Sequence, residues 1–415
     1  MIREGGRSPG AVVMARLDAL ADFTETPGQL TRLYLTPEHK AAALQVRVWM
    51  EEAGMTARMD AVGNVVGRYE GATPDARALL LGSHIDTVRN AGKHDGNLGV
   101  VAAIQAVAEL RAQGLRLPFA IEVLAFGDEE GVRFPVTLTG SRTVAGVLDV
   151  GALDAEDAQG VSVREALQRF GCNPFEIHKV PRRKDEVLGY VEVHIEQGPV
   201  LEAEGLPVGV VTAIAGASRY TVDVAGVAGH AGTVPMRLRR DALTAASEMV
   251  LAVERAARDT EDLVATVGRI EALPGAVNVI PSGARFTLDV RSPTDAVRRE
   301  ALAQLERAFR EIAHRRNVAA RLERSYDEAA AVCAPWLIQQ LEAAVTRCGV
   351  RPRRLPSGAG HDGLAMVALC PIAMLFVRCE GGISHNPAES ITEEDADVAV
   401  RVLVDFLRHF QPQPH

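Results

Sequence analysis

Between Leu79 and Gly99 an apolar run ends abruptly in His84 and Asp86, and a short Gly- and Asn-containing loop then leads to Asp95-Gly96. A buried strand closed by an imidazole and two carboxylates is unusual, because an unpaired buried carboxylate is very costly. A divalent cation is the simplest compensator. Three later clusters offer the same chemistry: Asp128-Glu129-Glu130, His194 and His385. Imidazole and carboxylate donors without thiolate suit Zn²⁺, Mn²⁺ or similar ions. A carboxylate bridging two ions, flanked by His and Glu, is the usual plan of a two-metal hydrolase. Asp86, two residues beyond His84, is placed to accept the second imidazole N–H and fix its tautomer. Glu129 and Glu130 are neighbours. On an extended stretch they point apart, so that one binds metal while the other faces the reacting water.

Taken singly, each group has a plainer reading. His84 reads as a core or loop histidine, Glu129-Glu130 as a solvated pair, Asp95-Gly96 as a turn, and His385 as a member of a Gly-rich loop. What joins them is position. Arg77–Gly82, Phe119–Phe126, Leu188–Glu196 and Pro371–Val377 read as buried strands, and each leads into one of the clusters. Helical patterns at Ala15–Phe23, His39–Ala53 (opened by Thr36-Pro37-Glu38), Leu98–Leu110, Val161–Phe170, Pro335–Cys348 and Glu393–Phe410 alternate with them, and Ala57–Tyr69 reads as a hairpin. This order predicts an α/β fold, a doubly wound mixed sheet that gathers ligands at the carboxyl ends of its strands.

The pattern changes near Ala213. Arg219–Val227, Leu263–Glu271, Ala284–Arg291 and Ala319–Tyr326 read as strands, with helices at Asp241–Arg258 and Asp295–Arg316. That β-α-β-β-α-β order is ferredoxin-like. The expectation is therefore a discontinuous catalytic domain, residues 1–212 and 329–415, with an inserted α+β lid or dimerisation domain at 213–328.

The bulk properties narrow the class. A chain of 415 residues suggests two domains. Its net charge of -9 disfavours nucleic acid and anionic membranes as partners. No apolar run reaches the length of a membrane span, and residues 1–10 lack the apolar core of a signal peptide. The five cysteines are scattered, without CxxC spacing, which fits a reducing cytoplasm and core filling rather than a disulfide framework or thiolate zinc site.

Gly82–Val88, Asp95-Gly96, Asp128–Pro135, His194–Gly198 and Gly382–Glu389, taken in order, resemble the M20 metallopeptidase-like amidohydrolases. The branch they resemble most holds the allantoate amidohydrolases, N-carbamoyl-L-amino acid hydrolases and ureidopropionases. His194 followed by Ile-Glu-Gln-Gly points to this branch. The resemblance implies two divalent ions, Zn²⁺ or Mn²⁺, with Asp95 bridging, His84 and His194 completing one ion, Glu130 and His385 the other, and Glu129 as general base.

On the substrate side the resemblance implies that His230 reaches the active site of a partner subunit in a homodimer and stabilises the tetrahedral intermediate. By itself His230 reads equally well as a turn histidine. Asn278 and Arg291 match substrate-binding positions. Arg291 suits a bidentate grip on a carboxylate, although alone it reads as a surface strand-end arginine. Gln197 is expected to hydrogen-bond the ureido group. The Ser357–Asp362 loop, through Gly360, offers backbone N–H groups to an anion, with His361 in support and Asp362 capping the next helix. The run Arg237–Asp241 reads as a solvated face. The activity implied is cleavage of a ureido C–N bond in a small carboxylate. Allantoate comes first, which would place the enzyme in purine catabolism, with an N-carbamoyl-L-amino acid or 3-ureidopropionate as alternatives. A dipeptidase, or a non-catalytic dimeric binder lacking a ligand or base, fits less well.

Overall fold

The computed structural model describes residues 6–413. These residues divide into two compact units, one running to Thr212 and resuming at Val332, the other spanning Ala213–Ala331. The sequence pattern had placed the second junction at 328/329. The last long strand of the insert ends at Glu328, and a short strand at Ala331–Val332 carries the chain back.

The first unit is a mixed α/β fold. Its strands up to the insert are β1 (Thr56–Met59), β2 (Val65–Tyr69), β3 (Ala78–His84), β4 (Ala120–Phe126), β5 (Val187–Ile195) and β6 (Val208–Ile214). β1 and β2 form the expected hairpin. Its turn is held by the Asp60 carboxylate, which accepts the N–H groups of Val62 and Asn64 at 3.0 Å each. β3, β4 and β5 are buried along their whole length, as strands covered on both faces must be. The helix Asn97–Ala112 that follows β3 is buried on nearly every side and packs on the sheet. That is why its Val- and Ala-rich sequence shows no clean polar face.

The second unit contains β7 (Gly216–Ala225), β8 (Gly229–His230), β9 (Val264–Thr266), β10 (Ile270–Leu273), β11 (Val279–Ile280), β12 (Gly283–Ser292) and β13 (Ala319–Glu328). The expected strand at 263–271 is thus two strands. The sheet order is β10-β12-β7-β13, with β9 also on β12, and every pair given is antiparallel. This is the ferredoxin-like arrangement. β12 alternates buried and open positions. Its inward Phe286, Leu288 and Val290 meet Met249 and Leu305, Phe309 from the helices Ala242–Arg258 and Asp295–Arg316. Asp241 is not part of a solvated face. It caps the first of these helices by accepting the Thr244 N–H at 3.0 Å, as Asx residues do at helix starts. Arg239 and Arg240 bond the carbonyls of Val234, Ala231 and Asn317.

Back in the first unit, β14 (Ala331–Val332), β15 (Arg354–Ser357) and β16 (Ile372–Val377) complete the large sheet. Among the described residues it has nine strands, ordered β1-β2-β4-β3-β5-β16-β6-β14 with β15 on β6. The four central strands, β4, β3, β5 and β16, run parallel. Their carboxyl ends therefore lie along one edge. No helix of the described residues is long and apolar enough to cross a membrane, and all five cysteines are free.

Candidate metal centre

Each central strand delivers one part of the site. β3 ends in His84 and leads to Asp86, β4 leads to Glu129 and Glu130, β5 carries His194 and leads to Gln197, and β16 leads into the loop holding His385. Asp95 comes from the loop between β3 and its helix. A Cβ on Gly96 would overlap the His84 ring, and Gly96 also takes a φ of 65°. The Asp95-Gly96 pair is therefore more than a turn: only glycine lets Asp95 come this close to the imidazole.

Asp95 lies at the centre. Its Oδ1 is 3.4 Å from His84 Nε2 and 3.1 Å from His194 Nε2, and its Oδ2 is 3.2 Å from His385 Nε2. His385 Nε2 is also 3.7 Å from Glu130 Oε2, and His84 Nε2 is 3.8 Å from Glu129 Oε2. The donor atoms of His84, Asp95 and His194 lie within 4.8 Å of one another, and so do those of Asp95, Glu130 and His385. Glu129 and Glu130 do not point cleanly apart: a carboxylate oxygen of each lies within 4.8 Å of the other and of His84, while Glu130 also reaches His385. The reason is local: the pair sits on a bend entered through Asp128 at a φ of 69°, not on an extended strand.

The donors fit a divalent cation. His84 Nδ1 is 3.0 Å from the Asp86 carbonyl and His194 Nδ1 is 2.9 Å from the Ile195 carbonyl. A carbonyl only accepts, so both Nδ1 atoms carry hydrogen. The Gly96 N–H donates to His194 Nε2 at 3.2 Å. In a neutral ring Nε2 then turns its lone pair toward an Asp95 oxygen, an arrangement that is repulsive unless a cation lies between them. Without a cation the rings take up the charge themselves: against burial, the Asp95 contact raises His84 well above the usual imidazole value and raises His194 as well. Burial alone would raise the Asp95 carboxyl, but His194, His385 and His84 outweigh it and hold it well below its usual range. Asp95 contact and the nearby Glu130 charge raise His385 to about 9 against its partial burial. Burial and then Asp95 push Glu130 up to about 7. Burial, reinforced by Glu130, pushes Glu129 well above the usual carboxylate range despite His84.

Asp86 departs from expectation. Its carboxylate does not hold the His84 ring: Oδ1 is 3.8 Å from Nδ1, and the main-chain carbonyl makes that bond instead. The carboxylate accepts the backbone N–H groups of Glu129 and Glu130, each at 3.2 Å. The Asp362 side chain caps nothing. It is buried beside Ser141, with no cap hydrogen bond, at the start of the short helix Gly363–Met366. His361 adjoins the site: its ring meets that of His194 edge-on at 4.4 Å, its Nε2 lies 2.7 Å from Ser357 Oγ, and with Glu192 and His194 it forms a further donor group. Gly360 lies beside Glu129, whose Oε1 would be 3.7 Å from a Cβ placed there. Gln197 Nε2 already donates to Asp95 Oδ2 at 2.8 Å and to Ser384 Oγ at 2.9 Å, leaving its buried Oε1 unbonded.

In the second unit His230 pairs with Val279 across the β8–β11 ribbon, and the Asn278 carbonyl accepts the Ala231 N–H at 3.0 Å. His230 and Asn278 are both exposed. The guanidinium of Arg291 forks onto its own neighbour Asp289, at 2.8 and 3.0 Å. Sequence reasoning gave no role to Glu389 or Ser384, although both lie in the quoted 382–389 stretch, nor to Arg32. Arg32 is fully buried and bonds Ile85 O at 2.7 Å and Asn97 Oδ1 at 2.6 Å, tying together both sides of the Asp95 loop. No local pattern marks such long-range partners.

A profile of peptidase family M20/M25/M40 matches residues 80–409. The chain belongs to the M20 family. It is 43% identical to an N-carbamoyl-L-amino acid amidohydrolase of Geobacillus stearothermophilus, covering 95% of this chain and 97% of that one. It is 40% identical to an allantoate deiminase of Arabidopsis thaliana, covering 95% and 81%. Among solved structures, a hydantoinase/carbamoylase family amidase from Burkholderia multivorans superposes with a TM-score of 0.91 at 35% identity, covering 97% and 98%. This M20 chain is a hydrolase acting on C–N bonds other than peptide bonds. M20 enzymes are generally metal-dependent, and the clustered donors accord with that.

Proposed function

We propose that the chain is a binuclear metal-dependent amidohydrolase that cleaves the ureido (N-carbamoyl) C–N bond of a small carboxylate. One observation carries the reading: the two oxygens of Asp95 face different donor sets, His84 with His194 and His385 with Glu130. In this reading His84, Asp95 and His194 hold one ion, and Asp95, Glu130 and His385 the other, both Zn²⁺ or Mn²⁺. Such ions, when bound, activate water and polarise the scissile carbonyl.

Glu129 then acts as general base. It takes a proton on its carboxylate and passes it to the departing nitrogen. Asp86 holds the Glu129 main chain in place for this transfer. Gln197, with Nε2 engaged on Asp95, keeps Oε1 to accept a ureido N–H. The main chain at Gly360 borders the base and takes part in substrate binding. His230, from a second copy in a homodimer, stabilises the developing oxyanion, and Asn278 and Arg291 bind the substrate, Arg291 through its carboxylate. The unit that carries these three residues closes on substrate as a lid.

Allantoate is the first substrate of this proposal, giving ureidoglycine, ammonia and carbon dioxide in the cytoplasm. An N-carbamoyl-L-amino acid is the second, favoured by the 43% identical relative of that name. The test is ammonia release from allantoate, several N-carbamoyl-L-amino acids, 3-ureidopropionate and a dipeptide, with Mn²⁺ or Zn²⁺ and after chelation. Turnover on a ureido substrate that is lost on chelation and restored by metal supports the reading. Turnover untouched by chelation, or confined to the dipeptide, refutes it.

A further inference from the structure

Asp95 must aim one oxygen at each donor set, yet it sits on a loop with no ladder or helix to fix it. Its direction has to come from side-chain contacts. Glu389 supplies them. This residue is 4% exposed, and its Oε1 accepts the N–H of His94 at 2.8 Å and of Asp95 at 3.1 Å. Its Oε2 lies 3.2 Å from Ser384 Oγ, which is itself 2.9 Å from Asp95 Oδ2. Gln197 Nε2 donates to both Asp95 Oδ2 and Ser384 Oγ. The His94 ring is buried against the same carboxylate, with Nδ1 at 3.5 Å from Oε1. A Cβ on Gly92 would collide with the Glu389 side chain, so the loop is shaped to admit it.

These contacts join two loops that approach from opposite ends of the chain. One carries Asp95 and the other carries His385. Both Gln197 and His385 hold left-handed backbones, with φ of 56° and 54°, a conformation that non-glycine residues keep only where their surroundings over-determine it. The Ser384 hydroxyl has a single proton and two carboxylate oxygens within reach. Glu389 Oε2 therefore offers that proton another acceptor whenever Asp95 Oδ2 carries a cation.

We propose that Glu389 is a positioning residue that sets the Asp95 carboxylate, and its spacing from His385, for the second ion, through two main-chain amides and the Ser384 hydroxyl. The proposal rests on the binuclear reading. Loss of the carboxylate orphans two buried N–H groups and frees the loop. Outer partners of this kind typically change metal affinity 10- to 100-fold.

The experiment measures Zn²⁺ uptake in competition with a chromogenic chelator, together with the visible spectrum of the Co²⁺-loaded protein, for wild type, Glu389→Ala, Glu389→Asp, Glu389→Gln and Ser384→Ala. Wild type should take up two ions. Glu389→Ala should hold the second ion roughly 10- to 100-fold more weakly, with an altered Co²⁺ spectrum. Glu389→Gln keeps an oxygen for the two amides but cannot accept the Ser384 proton, and should lose no more than Ser384→Ala. Ser384→Ala, which leaves the amide grip intact, should lose less than Glu389→Ala. If Glu389→Ala does not fold, Glu389→Asp decides: one methylene shorter, it cannot span both amides and Ser384, and it should lose the second ion where Gln retains it. Two ions bound at wild-type strength in Glu389→Asp, or equal losses in Gln and Asp, overturn the inference alone. Fewer than two ions in wild type overturn the binuclear reading, and the inference with it.

Discussion

Replacing Asp86 with Asn separates two accounts of this residue. If its carboxylate held the His84 tautomer, Asn would disturb the imidazole and the ion bound there. The structure gives that task to the Asp86 main-chain carbonyl, 3.0 Å from Nδ1, which the substitution leaves in place. The carboxylate instead receives the Glu129 and Glu130 amides, one on each oxygen, at 3.2 Å. A hydrogen bond to a charged acceptor contributes about 1.5–3 kcal/mol. Asn keeps an oxygen for one amide and turns an NH₂ toward the other, so about one such bond is lost and two donors are opposed. The expected loss in kcat/KM is about 2–3 kcal/mol, or roughly 30- to 150-fold. It should appear mainly in kcat, because the proton-transfer group moves. The assay is steady-state ammonia release beside metal analysis of the same preparations. Metal at the proposed His84–His194 position should be retained. A variant within threefold of wild type, or one whose defect is cured by excess metal, would show that the amides of the Glu pair do not depend on Asp86.

Three further outcomes follow. Glu129→Gln should retain metal and lose about 10²- to 10⁴-fold in kcat, the usual worth of a positioned general base; a near-normal rate would remove Glu129 from that role. Gly96→Ala forces a methyl into the His84 ring from a left-handed backbone, and should lower the melting temperature and cut metal uptake together; unchanged metal uptake would refute the close-approach argument. His39 is fully buried, and burial, with Arg32 and Arg133 nearby, lowers its imidazole to about 3. Its depressed folded value means that the associated stability is present above pH 6.5 and is lost as pH falls toward 3. At pH 4.5 the loss is about 2–3 kcal/mol. A denaturant titration at pH 7.5 and 4.5 should show that much less pH dependence in His39→Gln than in wild type, and equal pH dependence in the two would sink the assignment.

The central sheet was legible because buried parallel strands are short apolar runs, and β3, β4, β5 and β16 each pass straight into polar clusters. Asp241 was harder to read: a carboxylate amid arginines looks solvated until the Thr244 amide is seen on it. The 263–271 segment reads as one strand from its apolar residues, whereas the chain divides it into β9 and β10. Both errors share a cause. Charge and hydropathy report average exposure, while a cap or a strand break depends on one or two main-chain hydrogen bonds.

For the site, residue types and strand-end positions marked His84, Asp95, Glu129, Glu130, His194 and His385 as candidate ligands or base, because imidazole and carboxylate chemistry is carried by the side chain itself, and the fold brings them together. Which oxygen of Asp95 faces which imidazole was decided only by the packing of four strands and two loops. The same packing gave the Asp86 carboxylate to the Glu pair rather than to His84, placed Gln197 on Asp95, and brought Glu389 back across nearly 300 residues to the amides of His94 and Asp95. Chemical capability is local and is written in residue identity. Hydrogen-bond partnership depends on distance and direction at the scale of tenths of an ångström, and for residues so far apart in the chain only the closed fold supplies them.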